Sequence, residues 1–184
     1  EHAVARPQPG LIAIAGGKYT TYRVMAKDAV GAAAVDIETM VPNSVTDLTP
    51  LVGADGYQAL YNQAHALAAR YRLQVWEMRH LLDRYGSLVP EVLALAEDRP
   101  ELLGPVPGAE EYLLVETLYA VTFEGALHLD DILTRRTRIS IETVHRGTES
   151  ARAVADLVAP VLGWTDAVKE DEIVAYVSRV EAER

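Results

Sequence analysis

Apolar positions recur along this chain in two rhythms. Leu11-Ile12-Ala13-Ile14-Ala15 is an unbroken apolar run after the turn residues Pro9 and Gly10, which predicts a short strand buried on both faces. Gly16-Gly17 breaks the run, and from about Tyr19 to Ala34 the composition turns helical, with Tyr22, Met25 or Ala26, and Ala29-Val30 on one face. Residues 35–54 carry Pro42, Asn43, Pro50 and Gly53 and read as a connector. Beyond it the helical period dominates. Tyr57, Leu60, Tyr61, Ala64, Leu67, Ala68 and Tyr71 form one long apolar stripe, and Val75, Met78, Leu81, Leu82 and Tyr85 form a second that stops at Gly86. A short helix is expected from about Val89 to Asp98, with Pro90 in its permitted first turn, and a loop over 99–108. Residues 110–127 are apolar nearly all round and predict a helix in the middle of a bundle. Asp130-Asp131 and Arg135-Arg136 bracket a short helix with charges matched to its dipole. Two further helices follow, one from Ala151 ending at Gly163 with Pro160 in its last turn, and one carrying Ile173, Val177 and Val180.

The fold class implied is mainly α: a helical bundle preceded by a strand-turn-helix. The boundary falls in the connector, giving residues 1–40 and 41–184, the second with six or seven helices. No apolar run approaches the ~20 residues of a membrane span, and no secretory signal is visible. The 184 residues include no cysteine, which excludes disulfides, thiolate chemistry and cysteine-ligated metals. The formal charge of −10 argues against nucleic acid as a partner. Arg6, Lys18, Arg23 and Lys27 outnumber Glu1 and Asp28 in the first 34 residues, so the acidic excess lies in the helical part. The chain opens on Glu1-His2-Ala3 without a Met, which reads as a piece of a longer protein.

The segment with chemical content is Gly16-Gly17-Lys18-Tyr19-Thr20-Thr21-Tyr22-Arg23, where a strand ends and a helix begins. Paired glycines allow a tight turn and a close approach of backbone to ligand. The free N–H groups of a first helical turn, the helix dipole, the Lys18 ammonium and a Thr20 or Thr21 hydroxyl together favour an anion, or an oxygen that becomes negative during reaction. The plainer alternative is a turn with a solvated lysine and an ordinary threonine cap. Neither a P-loop nor a G-x-G-x-x-G fingerprint is present.

The stretch from Pro9 to Ala34 resembles the last strand-turn-helix of the flavin domain in FAD-dependent glycerol-3-phosphate dehydrogenases. Glu111-Tyr112-Leu113-Leu114, Glu116, Glu124-Gly125-Ala126-Leu127, Asp131 to Arg138 and Leu162-Gly163-Trp164 are similar to the helical C-terminal domain of the same enzymes. The resemblance implies that the parent enzyme oxidises sn-glycerol 3-phosphate to dihydroxyacetone phosphate, passing hydride to flavin N5 and electrons to quinone. It places Gly16, Gly17, Lys18, Tyr19 and Thr20 at the pyrimidine edge of FAD, where negative charge gathers around N1 and O2 of the reduced ring. It gives Lys18 a catalytic place near the substrate as well. A family arginine for the substrate phosphate would fall just before Glu1, and the nucleotide-binding fingerprint would lie further upstream. This polypeptide alone is therefore expected to be inactive and colourless, with no saturable quenching of added FAD fluorescence. The setting implied is bacterial and cytoplasmic, peripheral to the membrane. A homodimer and a membrane contact are left open, and the helical part is read as bracing the flavin domain.

A second class is a stand-alone helical interaction module without catalysis. The two readings are expected to differ at residues 11–15: displaced or paired with another chain in a fragment, paired within the chain in a module. At least one of Arg135, Arg136 and Arg138 is expected to reach Glu116 or Glu124 and hold helices in register. Trp76 and Trp164 read as packing anchors, and Asp171-Glu172 as dipole matching. The spacing of His65, His80, His128 and His145 gives no reason to expect a metal.

Overall fold

A computed structural model describes residues 1–183. They fall into two compact units, Glu1–Asp55 and a second that begins at Gly56. In the first, strand β1 (His2–Gln8) pairs antiparallel with β2 (Leu11–Gly16) and helix α1 (Tyr22–Ala34) packs against the hairpin. Within-chain pairing corrects the expectation that residues 11–15 would lack a partner in a fragment. The sequence reading credited no strand to residues 2–8, although Val4 and the Pro9-Gly10 turn place them opposite the run, with Val4 facing Ile14. The strand is not buried on both faces either: Leu11 and Ile14 are exposed, and no residue of this unit is buried. His2 holds Asp28 at 2.8 Å and Arg6 holds Asp36 at 2.9 Å, with a further donation from Arg6 to the carbonyl of Ala32. Polar ties between strand and helix therefore stand where a core would be.

The second unit is helical. The long stripe of residues 57–71 is two helices, α2 (Tyr57–Asn62) and α3 (Ala64–Tyr71), broken at Gln63. Then come α4 (Val75–Tyr85) and α5 (Val89–Ala94), the latter opened by Pro90. The expected helix over 110–127 is in fact a strand followed by a helix. Pro105–Val106 (β3) and Ala109–Leu113 (β4) form a two-stranded ribbon, and only Leu114–Thr122 is helical (α6). The Pro107-Gly108 turn folds Ala109 back beside Val106, so the ribbon captures residues whose apolar character alone reads as helix. A π-helical turn spans Asp131–Arg136. The unit closes with α7 (Ile139–Glu142), α8 (Ala151–Leu162) and α9 (Asp166–Ala182). Among the described residues this is more helical segments than the six or seven expected, because short pieces separate at kinks. Gly163, left-handed at φ 67°, ends α8 as its position after Leu162 predicts.

Two apolar clusters carry this unit. One gathers Met78, Leu81 and Leu82 of α4 with Val92 and Leu93 of α5 and Val115 of α6. The other gathers Leu129, Ile132, Leu133, Ile139, Val154 and Val158 with Tyr176 and Val180 of α9. At roughly 1.5–3 kcal/mol per buried side chain, these clusters dominate the favourable side of folding for the unit. Trp164 packs against the second cluster as read, but Trp76 is half exposed and belongs to neither cluster.

Candidate functional site

Gly16 and Gly17 sit at φ 78° and 85°, backbone that L side chains avoid. A Cβ on Gly16 would stand 3.0 Å from the carbonyl oxygen of Glu1. One on Gly17 would stand 2.3 Å from Sδ of Met25 and 3.3 Å from Cβ of His2. The glycines therefore let the chain leave β2 and enter α1 while pressed against the start of β1. Residues 19–21 make a 3-10 turn that runs into α1.

The amides of this turn are not equivalent. Gly17 N–H donates to the Glu1 carbonyl at 2.9 Å. Lys18 N–H points to Thr21 Oγ1 at 3.3 Å, and that hydroxyl donates back to the Lys18 carbonyl at 3.0 Å. Thr21, and not Thr20, thus closes the turn. The N–H groups of Tyr19 and Thr20 have no acceptor among the described residues, and the 13-residue helix α1 follows directly behind them. Gly16, Gly17, Lys18, Tyr19 and Thr20 are all exposed. Tyr19 stacks on Tyr22 at 5.8 Å between ring centroids and is 89% exposed. Two free amides, an ammonium-bearing side chain and open access form a short electropositive lip of backbone. A cavity of about 1030 Å³ in the same unit lies elsewhere, between Val4, Val30, Ala34 and Val41, and does not include the lip.

Sequence reasoning missed the most highly organised polar site of the helical unit. Glu116, fully buried, accepts from Leu113 N–H at 2.9 Å, which caps α6. It also meets His80 Nε2 at 3.0 Å and accepts from the Tyr85 hydroxyl at 3.3 Å. Burial alone would lower the His80 pKa, but the bond to Glu116 and its charge outweigh that and leave it raised. Burial, with the Glu116 charge beside it, raises the Tyr85 phenol. With leucine and not a serine or threonine three residues before Glu116, the sequence lacks the usual capping signature that would have marked it.

This network corrects the expected pairing of the arginine cluster. Arg135 bonds Asp130, and also Asp131 at 3.2 Å, while Arg138 bonds Glu142 at 3.1 Å. Among the described residues none of the three arginines reaches Glu116 or Glu124. Glu116 is turned inward as a cap, and Glu124 keeps an unpartnered buried Oε2 whose burial raises its pKa. Glu172, read as dipole matching, instead clasps another segment: it holds His128 Nδ1 at 2.7 Å and accepts from Leu129 N–H at 2.9 Å.

The model of the C-terminal domain of alpha-glycerophosphate oxidase matches residues 44–169. Over 183 residues the chain is 58% identical to a glycerol-3-phosphate dehydrogenase of Mycobacterium leprae (strain TN), covering all of this chain and 31% of that protein. It is 32% identical to a mitochondrial glycerol-3-phosphate dehydrogenase of Bos taurus, over 94% of this chain and 24% of the relative. A glycerol-3-phosphate dehydrogenase from Bacillus halodurans, solved in complex with FAD, superposes with a TM-score of 0.77 at 26% identity. That match covers 97% of this chain and 37% of the solved one. The chain thus spans about a third of the length of the relatives it matches.

Proposed function

This chain belongs to the family of the C-terminal domain of alpha-glycerophosphate oxidase, and from that premise we propose that it is the C-terminal part of an FAD-dependent glycerol-3-phosphate dehydrogenase. In this reading the whole protein converts sn-glycerol 3-phosphate to dihydroxyacetone phosphate and delivers the electrons to quinone. The observation that carries the reading is the lip at Gly16–Thr20, considered together with the 58% identity that runs the full length of the chain.

The lip fits the pyrimidine edge of a flavin. Gly16 and Gly17 hold the turn against the start of β1 in backbone that other residues avoid, and the amides of Tyr19 and Thr20 lack acceptors. FAD, when bound, supplies the hydride acceptor. The residues of this chain orient and polarise. The two amides donate toward an oxygen set against the turn, and the positive end of α1 favours negative charge there. The Lys18 ammonium adds a full charge whose effect grows as water is excluded. Thr21 keeps the turn in register through Lys18.

The exposed apolar faces of the hairpin and α1, including Leu11, Ile14 and Val30, fit a segment that packs against the remainder of a flavin domain. The helical unit contributes a self-sufficient core and braces that domain. In the same reading the protein works on the cytoplasmic side of a membrane, peripherally. No helix among the described residues is long and apolar enough to cross a membrane.

The test uses the full-length parent. Glycerol-3-phosphate-dependent reduction of an artificial electron acceptor is compared between wild type and Lys18→Ala. A fall in kcat/KM of about tenfold or more, with FAD content retained, is expected. Unchanged rates would remove Lys18 from the site.

A further inference from the structure

The helical unit holds a cavity of about 610 Å³ between α4, β4 and α7, lined by Trp76, Arg79, His80, Asp83, Arg84, Tyr112, Arg138 and Glu142. Three guanidinium groups gather here on a chain whose formal charge is −10. None of the residues used in the flavin reading takes part.

Both lining carboxylates already have partners. Asp83 accepts from the Tyr57 hydroxyl at 2.9 Å. Glu142 accepts from the Tyr112 hydroxyl at 2.6 Å and pairs with Arg138 at 3.1 Å. The remaining cations are different. Arg79 has no carboxylate within ion-pair distance among the described residues and lies over the Tyr61 ring at 5.9 Å. Arg84 donates through Nε only to the Tyr85 hydroxyl at 3.2 Å, and its wider surroundings include the charges of Glu116 and Glu124. His80 is fixed through Nε2 by Glu116, and its ring meets Tyr112 edge-on at 5.0 Å. The wall is completed by Trp76, half exposed although large and apolar. Arginines without a direct carboxylate partner among the described residues, beside an aromatic wall, present forked donors to an oxyanion.

We propose that this cavity is a binding site for a small phosphate monoester, with Arg79 and Arg84 donating to the phosphate oxygens and Trp76 bearing on the rest of the ligand. A phosphate dianion offers peripheral oxygens to donors from several sides, which suits two arginines that line one cavity from different faces of α4 better than a single carboxylate does. The phosphate belongs to a soluble ester; a phospholipid headgroup presents the same chemistry, and the experiment separates the two.

Trp76 provides the readout. In a Trp164→Phe background its fluorescence reports on this cavity alone. The chain is titrated with inorganic phosphate and with phenyl phosphate at constant ionic strength, sodium chloride serving as the reference, up to about 10 mM. A second arm uses phosphatidylcholine vesicles containing phosphatidic acid. Expected is a saturable change with both soluble probes, weakened about tenfold or more by Arg79→Gln or Arg84→Gln. Arg152→Gln, remote on α8, should leave it unchanged. If Arg84→Gln fails to fold, the exposed Arg79→Gln carries the comparison. No saturable change, a change matched by chloride, a response indifferent to Arg79→Gln, or binding confined to the vesicles would each overturn the proposal.

Discussion

The hairpin unit and the helical unit are built from similarly apolar sequence, yet only one has an interior. Leu82, Leu93, Ile132 and Val154 are completely or almost completely inaccessible, whereas Leu11 and Ile14 of the hairpin are 45% and 41% exposed and Val30 of α1 is 64% exposed. An apolar run dictates a strand. It does not supply the second surface against which that strand is buried. The difference shows that helical stripes can close on one another within this chain, while the two-stranded hairpin with one helix cannot enclose a core. The buried apolar side chains therefore lie in the helical unit, and the turn of the hairpin unit stays exposed.

The sharpest way to break this contrast is at Glu116. Glu116→Ala leaves His80, the Leu113 amide and the Tyr85 hydroxyl without their acceptor, and a loss of about 3–5 kcal/mol is expected in urea unfolding. The exposed Glu38→Ala of the first unit is expected to change stability by less than about 0.5 kcal/mol. Equal effects would mean the two units share one cooperative core. Next in size is a matched pair of truncations. Leu82→Ala is expected to destabilise by about 2–5 kcal/mol and Ile14→Ala by well under half of that, both read from denaturation midpoints.

The smallest effect is a pH dependence confined to the helical unit. His80 has a pKa raised above its ordinary 6.5, so its contact with Glu116 contributes fully below that value. The contribution is lost as pH rises through the folded-state pKa. His128, held by Glu172, acts with the same sign but is largely exposed and contributes less. Unfolding midpoints measured from pH 5.5 to 8.5 should therefore fall with pH in wild type, and His80→Gln should flatten most of that slope; an unchanged slope would assign it to other groups.

Much of the fold was legible in the residues. The stripe from Val75 to Tyr85, its stop at Gly86 and the span from Ala151 to Gly163 appear as their periods predict. The reading failed where apolar content had no period to interpret. Residues 110–113 read as helix because their apolar content does not distinguish helix from strand, and only the ribbon partner Pro105–Val106 decides for strand. Likewise the run at 11–15 signals a strand but not its partner, which begins with His2 and Ala3 and carries Pro7 near its far end. The Gly16–Thr20 turn can be located from its glycines, but which amides stay free cannot, since Gly17 donates to the carbonyl of Glu1, just ahead of the hairpin unit's first strand.

By itself, then, the sequence determined a mainly helical chain with an opening strand-turn-helix, because hydrophobic period and glycine placement act over a few neighbouring residues. Tertiary structure alone decided that Glu116 serves His80 and not an arginine, that Glu172 clasps His128, and that Arg79 and Arg84 face a cavity whose two carboxylates, Asp83 and Glu142, are bonded to other groups. Those outcomes depend on which surfaces meet across thirty or more residues. A charge pattern does not encode its partner until packing has fixed which groups are out of water.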